Sequence, residues 1–169
     1  MPRRFGLGHV DRIKAEAFGL PGQRTFRLAV ESGPCRAFLW VEREQLEALS
    51  LAINELLGLV RSGVGRRGGN PPEEGIYRIE FKVGQLAIGY DERRDLFVIA
   101  ADAAEDEESP QVQAVSLLVD REQLEALDRE IQEILAAGRP RCPLCHLPIN
   151  LGETHVCPRS NGHLGDLVD

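Results

Sequence analysis

Lysine is almost missing from this 169-residue chain: of its twenty basic residues only Lys14 and Lys82 are lysines, and the rest are arginines. That bias fits genome composition or thermal adaptation and selects no function. Methionine occurs once, as Met1, and tryptophan once, as Trp40. No stretch comes near the roughly 20 consecutive apolar residues that a membrane span needs, and Met-Pro-Arg-Arg-Phe-Gly leads into no apolar run of signal-peptide length. The expectation is a cytoplasmic protein with no membrane role. Also missing are the G-x-S-x-G, P-loop, H-E-x-x-H and Rossmann patterns, so no familiar catalytic constellation is visible. A net charge of -7 leaves no general basic stripe for nucleic acid or anionic lipid, although local basic patches are compatible with it.

What is present is a globular composition, 43% hydrophobic and 28% charged, enough for one core of ordinary size with a small appendage. It also contains an internal repeat. Val41-Glu-Arg-Glu-Gln-Leu-Glu-Ala-Leu49 returns 78 residues later as Val119-Asp-Arg-Glu-Gln-Leu-Glu-Ala-Leu127. Carried on to Leu57 and Leu135, eleven of seventeen aligned positions are identical. In both copies the apolar residues recur at helical spacing: Leu46, Leu49, Ile53 and Leu56, then Leu124, Leu127, Ile131 and Ile134. Asp120 with Gln123 forms a capping-box start, which Glu42 and Gln45 imitate less well. Each helix is expected to lay one apolar stripe on a sheet.

The segments before the helices alternate with period two and read as strands. Ile13, Ala15 and Ala17 form one apolar set, Phe26, Leu28 and Val30 the next, and Cys35 to Val41 a third strand. Turns fall at Pro21-Gly22 and Ser32-Gly33-Pro34. In the second half Ile79, Phe81 and Val83 form one set, and Gly84 shifts the phase so that Leu86, Ile88 and Tyr90 continue it, which predicts a bulge. Leu96 to Ala101 and Val112 to Val119 complete the series. The expected fold is α+β: a duplicated strand-strand-strand-helix unit forming an antiparallel sheet, two helices on one face, and a pseudo-twofold between the halves. The body would span residues 1–138, with repeat one at 5–61, a linker at 62–75 and repeat two at 76–138. Residues 139–169 would form a small C-terminal zinc knuckle and tail.

Two stretches read as connections: the Gly/Pro-rich linker with Arg61, Arg66 and Arg67, a small candidate anion patch, and the acidic loop from Asp102 to Pro110. Cys35, outside the terminal cluster, reads as packed and inert, and His9 stands with no acid or nucleophile in register. Glu44, Glu47 and Glu55 with their repeats fall on polar helix faces.

Chemistry concentrates at the C-terminus, which holds three of the four cysteines and three of the four histidines. In Cys142-Pro-Leu-Cys145 the two-residue spacing lets both thiolates face one metal, and His155-Val-Cys157 adds two donors on one side of an extended segment. Cys142, Cys145, His155 and Cys157 make a closed Cys3His tetrahedron, the donor set of structural zinc, and a segment this short and poor in apolar residues depends on metal to fold. His146 and His163 are substitutes for His155; His146 directly follows a turn cysteine and His163 lies beyond Asn161-Gly162. C-x-x-C-H is also the haem-attachment pattern, but it comes here without a secretion signal or a methionine for the axial position. A redox C-x-x-C would want a helix amino terminus rather than prolines and a nearby third cysteine. Unligated thiols in a loop are the bland alternative.

Pro21-Gly-Gln-Arg-Thr-Phe26, together with Gly138-Arg-Pro-Arg-Cys-Pro-Leu-Cys145 and His155-Val-Cys-Pro-Arg-Ser-Asn-Gly162, resembles a bacterial family of unknown function, sometimes called simply a repeat protein. The similarity spans nearly the whole chain and is most specific in the C-P-x-C, G-x-H-x-C and N-G elements at the end. Here Gly152 stands two places further from His155 than in that pattern. His163 occupies the place of an aromatic residue, which favours His155 as the ligand. The resemblance implies boundaries and a site but no reaction. The functional expectation is a non-catalytic adaptor with structural zinc and a protein partner. A nucleic-acid role is the alternative, using Arg139, Arg141 and Arg159 around the knuckle with Phe38 and Trp40 on an outer strand face, and an enzyme of unknown class is the other. Oligomeric state is left open.

Overall fold

Alternating apolar and polar residues produce strands wherever one side of the backbone can be buried, and two seventeen-residue amphipathic runs produce helices. The computed structural model describes residues 4–20, 22–65, 78–105, 114–137 and Leu144. In chain order the elements are β1 (Arg4–His9), β2 (Arg12–Phe18), β3 (Thr25–Ser32), β4 (Cys35–Val41), α1 (Arg43–Leu59), β5 (Arg78–Asp91), β6 (Leu96–Ala103), β7 (Ala114–Val119) and α2 (Arg121–Ala137). The class is α+β with one seven-stranded sheet in the order β1-β7-β6-β5-β4-β3-β2.

The sheet is mixed, which corrects the antiparallel expectation. Hairpin turns do give antiparallel pairs within β2-β3-β4 and β5-β6-β7, but β4 pairs β5 in parallel and β1 pairs β7 in parallel. The reason is topological. A helix between β4 and β5 carries the chain back to the end of the sheet from which it came, so the next strand runs in the same direction. A second correction is β1, which the alternation rule missed because Gly6 and Gly8 interrupt its apolar pattern.

β1 and β2 are separated only by Val10 and Asp11, yet they lie at opposite ends of the strand order. Val10 N–H donates to the Leu118 carbonyl on β7 (3.0 Å), and Asp11 N–H donates to the Glu31 carbonyl on β3 (2.8 Å). Consecutive residues therefore tie the link between β1 and β2 to strands from opposite ends of the order. Ser32, buried at the end of β3, fastens the seam by donating from its hydroxyl to the Leu7 carbonyl (2.6 Å). β5 is used in the same divided way, its first part on β4 and its second part on β6, with a register shift between Val83 and Gln85 where Gly84 predicted a bulge. The parallel joins match residue for residue: Ala37 faces Ile79 and Phe38 faces Glu80, while Phe5 faces Val115 and Gly6 faces Ser116.

One face of the strands and both helices share a single core. Leu28, Leu39, Phe81, Ile99 and Leu117 meet Leu46, Leu49 and Ile53 of α1 and Leu124, Leu127 and Ile131 of α2 there. Burying each such side chain contributes about 1.5–3 kcal/mol. The identical residues of the two helical segments do identical work. Gln45 accepts the Glu42 N–H (2.7 Å) and donates to the Val83 carbonyl (3.1 Å); Gln123 accepts the Asp120 N–H (3.0 Å) and donates to the Val10 carbonyl (2.9 Å). Each glutamine thus caps its helix and pins it to the opposite half, Gln45 to β5 and Gln123 to the link between β1 and β2. The helices cross where Ser50 Oγ donates to the buried Asp128 carboxylate (2.6 Å), which also accepts from Asn54 (3.1 Å) and Gln132 (2.8 Å). Arg121, opening α2, donates to the Leu57 and Val60 carbonyls at the end of α1, so the helices run antiparallel.

Candidate functional site

The metal ligands read from sequence, Cys142, Cys145, His155 and Cys157, lie outside the described residues, as do His146, His163, Arg66, Arg67, Arg139, Arg141 and Arg159. Among the described residues no group of three or more His, Cys, Asp or Glu side chains is arranged to hold a metal ion. No described helix is long and apolar enough to cross a membrane. Cys35 is buried, and desolvation pushes its thiol pKa up, away from the thiolate that a nucleophile needs. Its inert reading stands.

Phe38 and Trp40, singled out from sequence, do sit on the outer face of β4, and the fold builds a site around them. Neighbouring strands contribute alternate residues to the same face: Arg12, Lys14, Glu16 and Phe18 from β2, Arg27 and Glu31 from β3, Arg36 from β4, and Arg78, Glu80 and Lys82 from β5. Arg27 stands at the centre. Its guanidinium carbon lies 4.4 Å from the Phe38 ring centroid, 4.8 Å from Phe18 and 5.4 Å from Trp40, all within cation–π range. Its Nε donates to Glu16 at 2.6 Å. Arg78 also lies over the Phe38 ring, 4.7 Å from its centroid, and pairs with Glu80 at 3.1 Å. The Trp40 indole N–H donates to Glu80 at 3.0 Å, and that hydrogen bond, helped by Arg78 and Arg27, holds the Glu80 carboxyl below the usual carboxylate range. Sequence reasoning found the two aromatics, and named Arg27 only with Arg24 and His9 as lining for an enzyme cavity; it missed Phe18, Glu16 and Glu80. The available signal was their place at alternate positions on neighbouring strands.

Two further clusters also escaped the linear reading. Asp95, in the turn between β5 and β6 with φ 53°, accepts hydrogen bonds from the Tyr90 hydroxyl, the Ser62 hydroxyl (2.5 Å) and the Gly63 N–H (2.8 Å). These donors, Ser62 first, depress its pKa, while the bond to Asp95 raises that of Tyr90. Gly65 N–H donates to the Asp95 carbonyl, and a side chain at Gly65 would run into the Arg94 carbonyl at 1.9 Å. The start of the linker, residues 62–65, is therefore fastened to the turn between β5 and β6. The second cluster corrects the reading of His9 as isolated. Its side chain is only 7% exposed, with Nε2 3.3 Å from Asp120 and 3.0 Å from Gln123 at the start of α2. Tertiary closure brought that acid from 111 residues away, across the β1–β7 seam.

The described geometry holds a paired aromatic–arginine face, a carboxylate hub at Asp95 and a buried histidine beside Asp120. A family described as "Protein of unknown function (DUF3090)" matches residues 5–157. The chain belongs to this family. The DUF3090 match takes in the described sheet from Phe5 onward, both helices and all four candidate zinc ligands. No match is found among curated proteins or among solved structures.

Proposed function

We propose that this DUF3090 protein is a non-catalytic binding module whose working surface is the outer face of β2 to β5, and whose C-terminal segment is held together by a structural zinc ion. The observation that carries the docking role is the Arg27 cluster. Tryptophan and arginine are the side chains that dominate interface energetics, and here they sit with two phenylalanines at the centre of a face rimmed by charges of both signs. Its central cations already have the carboxylate partners Glu16 and Glu80, which suits a partially apolar protein surface better than a polyanion. Cys142, Cys145, His155 and Cys157 are the ligands assigned to zinc. Their Cys3His chemistry fits a closed tetrahedral site with no open position for a reacting water. The halves are read as products of an internal duplication, supported by their matching helix caps and strand registers.

One observation favours a second reading. Both lysines and four arginines, Arg12, Arg27, Arg36 and Arg78, share the face with only three carboxylates, Glu16, Glu31 and Glu80. Such a local excess beside aromatic rings would also suit single-stranded nucleic acid.

Elemental analysis of the purified protein, with melting curves before and after chelation, tests the zinc. One zinc per chain whose removal lowers the melting temperature supports the assignment, and a metal-free protein of equal stability refutes it. Titration with a single-stranded oligonucleotide at low salt separates the two partners. No binding keeps the protein-docking reading, whereas salt-sensitive binding abolished by Arg27→Ala transfers the face to nucleic acid.

A further inference from the structure

Lys14, Ala29 and Phe38 stand opposite one another on β2, β3 and β4 and form one row across the outer face. In the rows on either side the β3 residue reaches a neighbouring strand: Glu31 accepts from Arg36 at 2.5 Å, and Arg27 donates to Glu16 at 2.6 Å. Ala29 has no side chain long enough to do the same. The middle row is therefore a pit of about 180 Å³, floored by Ala29, walled by the half-buried Phe38 ring and the two paired carboxylates, and flanked by Arg12 and Lys14. Three cations, Arg12, Lys14 and Arg36, line it against Glu16 and Glu31. Both carboxylates already have guanidinium partners, Glu16 in Arg27 and Glu31 in Arg36. The charge of Arg12 and Lys14 is left for a ligand, and the two stand on the same side of β2 because Ile13 and Ala15 are turned into the core.

We infer that this pit binds a phosphate monoester carried on an apolar stem, with the phosphate between Arg12 and Lys14 and the stem against Phe38. A monoester has close to two negative charges near neutral pH and three strong acceptor oxygens, which match two cations, whereas a carboxylate or a phosphodiester brings a single charge. The pit offers several times the roughly 30 Å³ that one water takes up in the liquid, so a tetrahedral oxyanion fits. Glu16 and Glu31 at its rim oppose a longer polyanion, since a strand laid across the face would pass both carboxylates. The site lies on the docking face but needs no docked protein.

Amide chemical shifts of the full chain, followed during titration with inorganic phosphate and with phenyl phosphate at fixed ionic strength, test it. Both ligands shift Arg12, Lys14, Ala29 and Arg36 saturably, and phenyl phosphate does so at lower concentration. Arg12→Ala and Lys14→Ala each weaken binding by about tenfold, because each removes one charged donor. Ala29→Leu keeps every charge but fills the pit, and it abolishes the saturable shifts while leaving the melting temperature unchanged. Undiminished binding by Ala29→Leu, or by the double variant Arg12→Ala, Lys14→Ala, overturns the proposal, as do shifts that chloride reproduces at equal ionic strength. Methyl phenyl phosphate has the same stem but is a diester; if it binds as tightly as phenyl phosphate, the proposal also falls and the face passes to nucleic acid. Failure of the docking reading is seen separately, as loss of partner binding with the phosphate shifts intact.

Discussion

The outer face of β3-β4-β5 and the outer face of β6-β7-β1 are laid out by the same strand register and carry different chemistry. Where Arg27 faces Trp40 in the first, Val98 faces Leu118 in the second; where Ala29 faces Phe38, Ala100 faces Ser116. The Glu80 position opposite Phe38 becomes Gly6 opposite Ser116. One face is therefore built up into an aromatic–arginine ridge, and the other is a hollow of about 290 Å³ lined by Gly6, Gly8, Ser116, Val98 and Leu118. The inward residues, in contrast, stay apolar in both halves. A shared core constrains what points inward, since volume lost there leaves a cavity, while the outward positions are free to diverge toward function.

The comparison is broken most severely through the core. Leu49→Ala and Leu127→Ala, at matching buried positions, are each expected to cost about 3 kcal/mol in one shared unfolding transition. Two separated transitions in chemical denaturation would show that the halves are independent units. Next in size is the helix crossing, where the halves touch through unlike partners: Asp128→Ala removes the acceptor of three donors and costs about 2 kcal/mol, and Ser50→Ala about 1 kcal/mol. Equal effects of the two variants would mean that the carboxylate contributes nothing beyond the Ser50 bond.

Smaller, and readable as a pH dependence, is Asp95. Its folded pKa is depressed, so its stabilisation is present above the ordinary aspartate value near pH 4 and is lost as pH falls through the lower folded value. Asp95→Asn should flatten the acid limb of the stability curve, and an unchanged limb would show that the Tyr90 and Ser62 bonds carry no net energy. The smallest effects belong to the outer faces. Arg27→Ala should cost under about 1 kcal/mol because its ion pair is partly solvated, yet it should shift the fluorescence of Trp40, the sole tryptophan. Ser116→Phe, which begins to build a ridge in the hollow, should stay within about 0.5 kcal/mol. A large loss from either variant would mean that the faces are structural rather than free to vary.

Much of the body was legible because its signals are local. The period-two run around Leu28, the helical spacing of Leu46, Leu49 and Ile53, and the phase shift at Gly84 need only neighbours in sequence to be read. Parallel pairing of β4 with β5 was not, since direction depends on which way the intervening helix returns the chain. β1 escaped because its glycines erase the alternation while its hydrogen bonds to β7 come from the far end of the chain. The candidate metal ligands were read from spacing alone, and the Arg27 cluster was half seen through Phe38 and Trp40.

By itself the sequence determined most element types, the inward apolar sets and the capping pairs Glu42–Gln45 and Asp120–Gln123 that open the helices, and it supplied the Cys3His spacing proposed to hold zinc. Those depend on periods of two and 3.6 and on donor spacing, which are properties of a short stretch of chain. Only the tertiary structure decided that Val10 and Asp11 reach strands at opposite ends of the sheet, that His9 meets Asp120, that four strands gather around Arg27, and that Glu130 of α2 caps the edge of β2. Each of these joins residues whose separation in sequence carries no periodic signal, so only the folded path of the backbone brings them together.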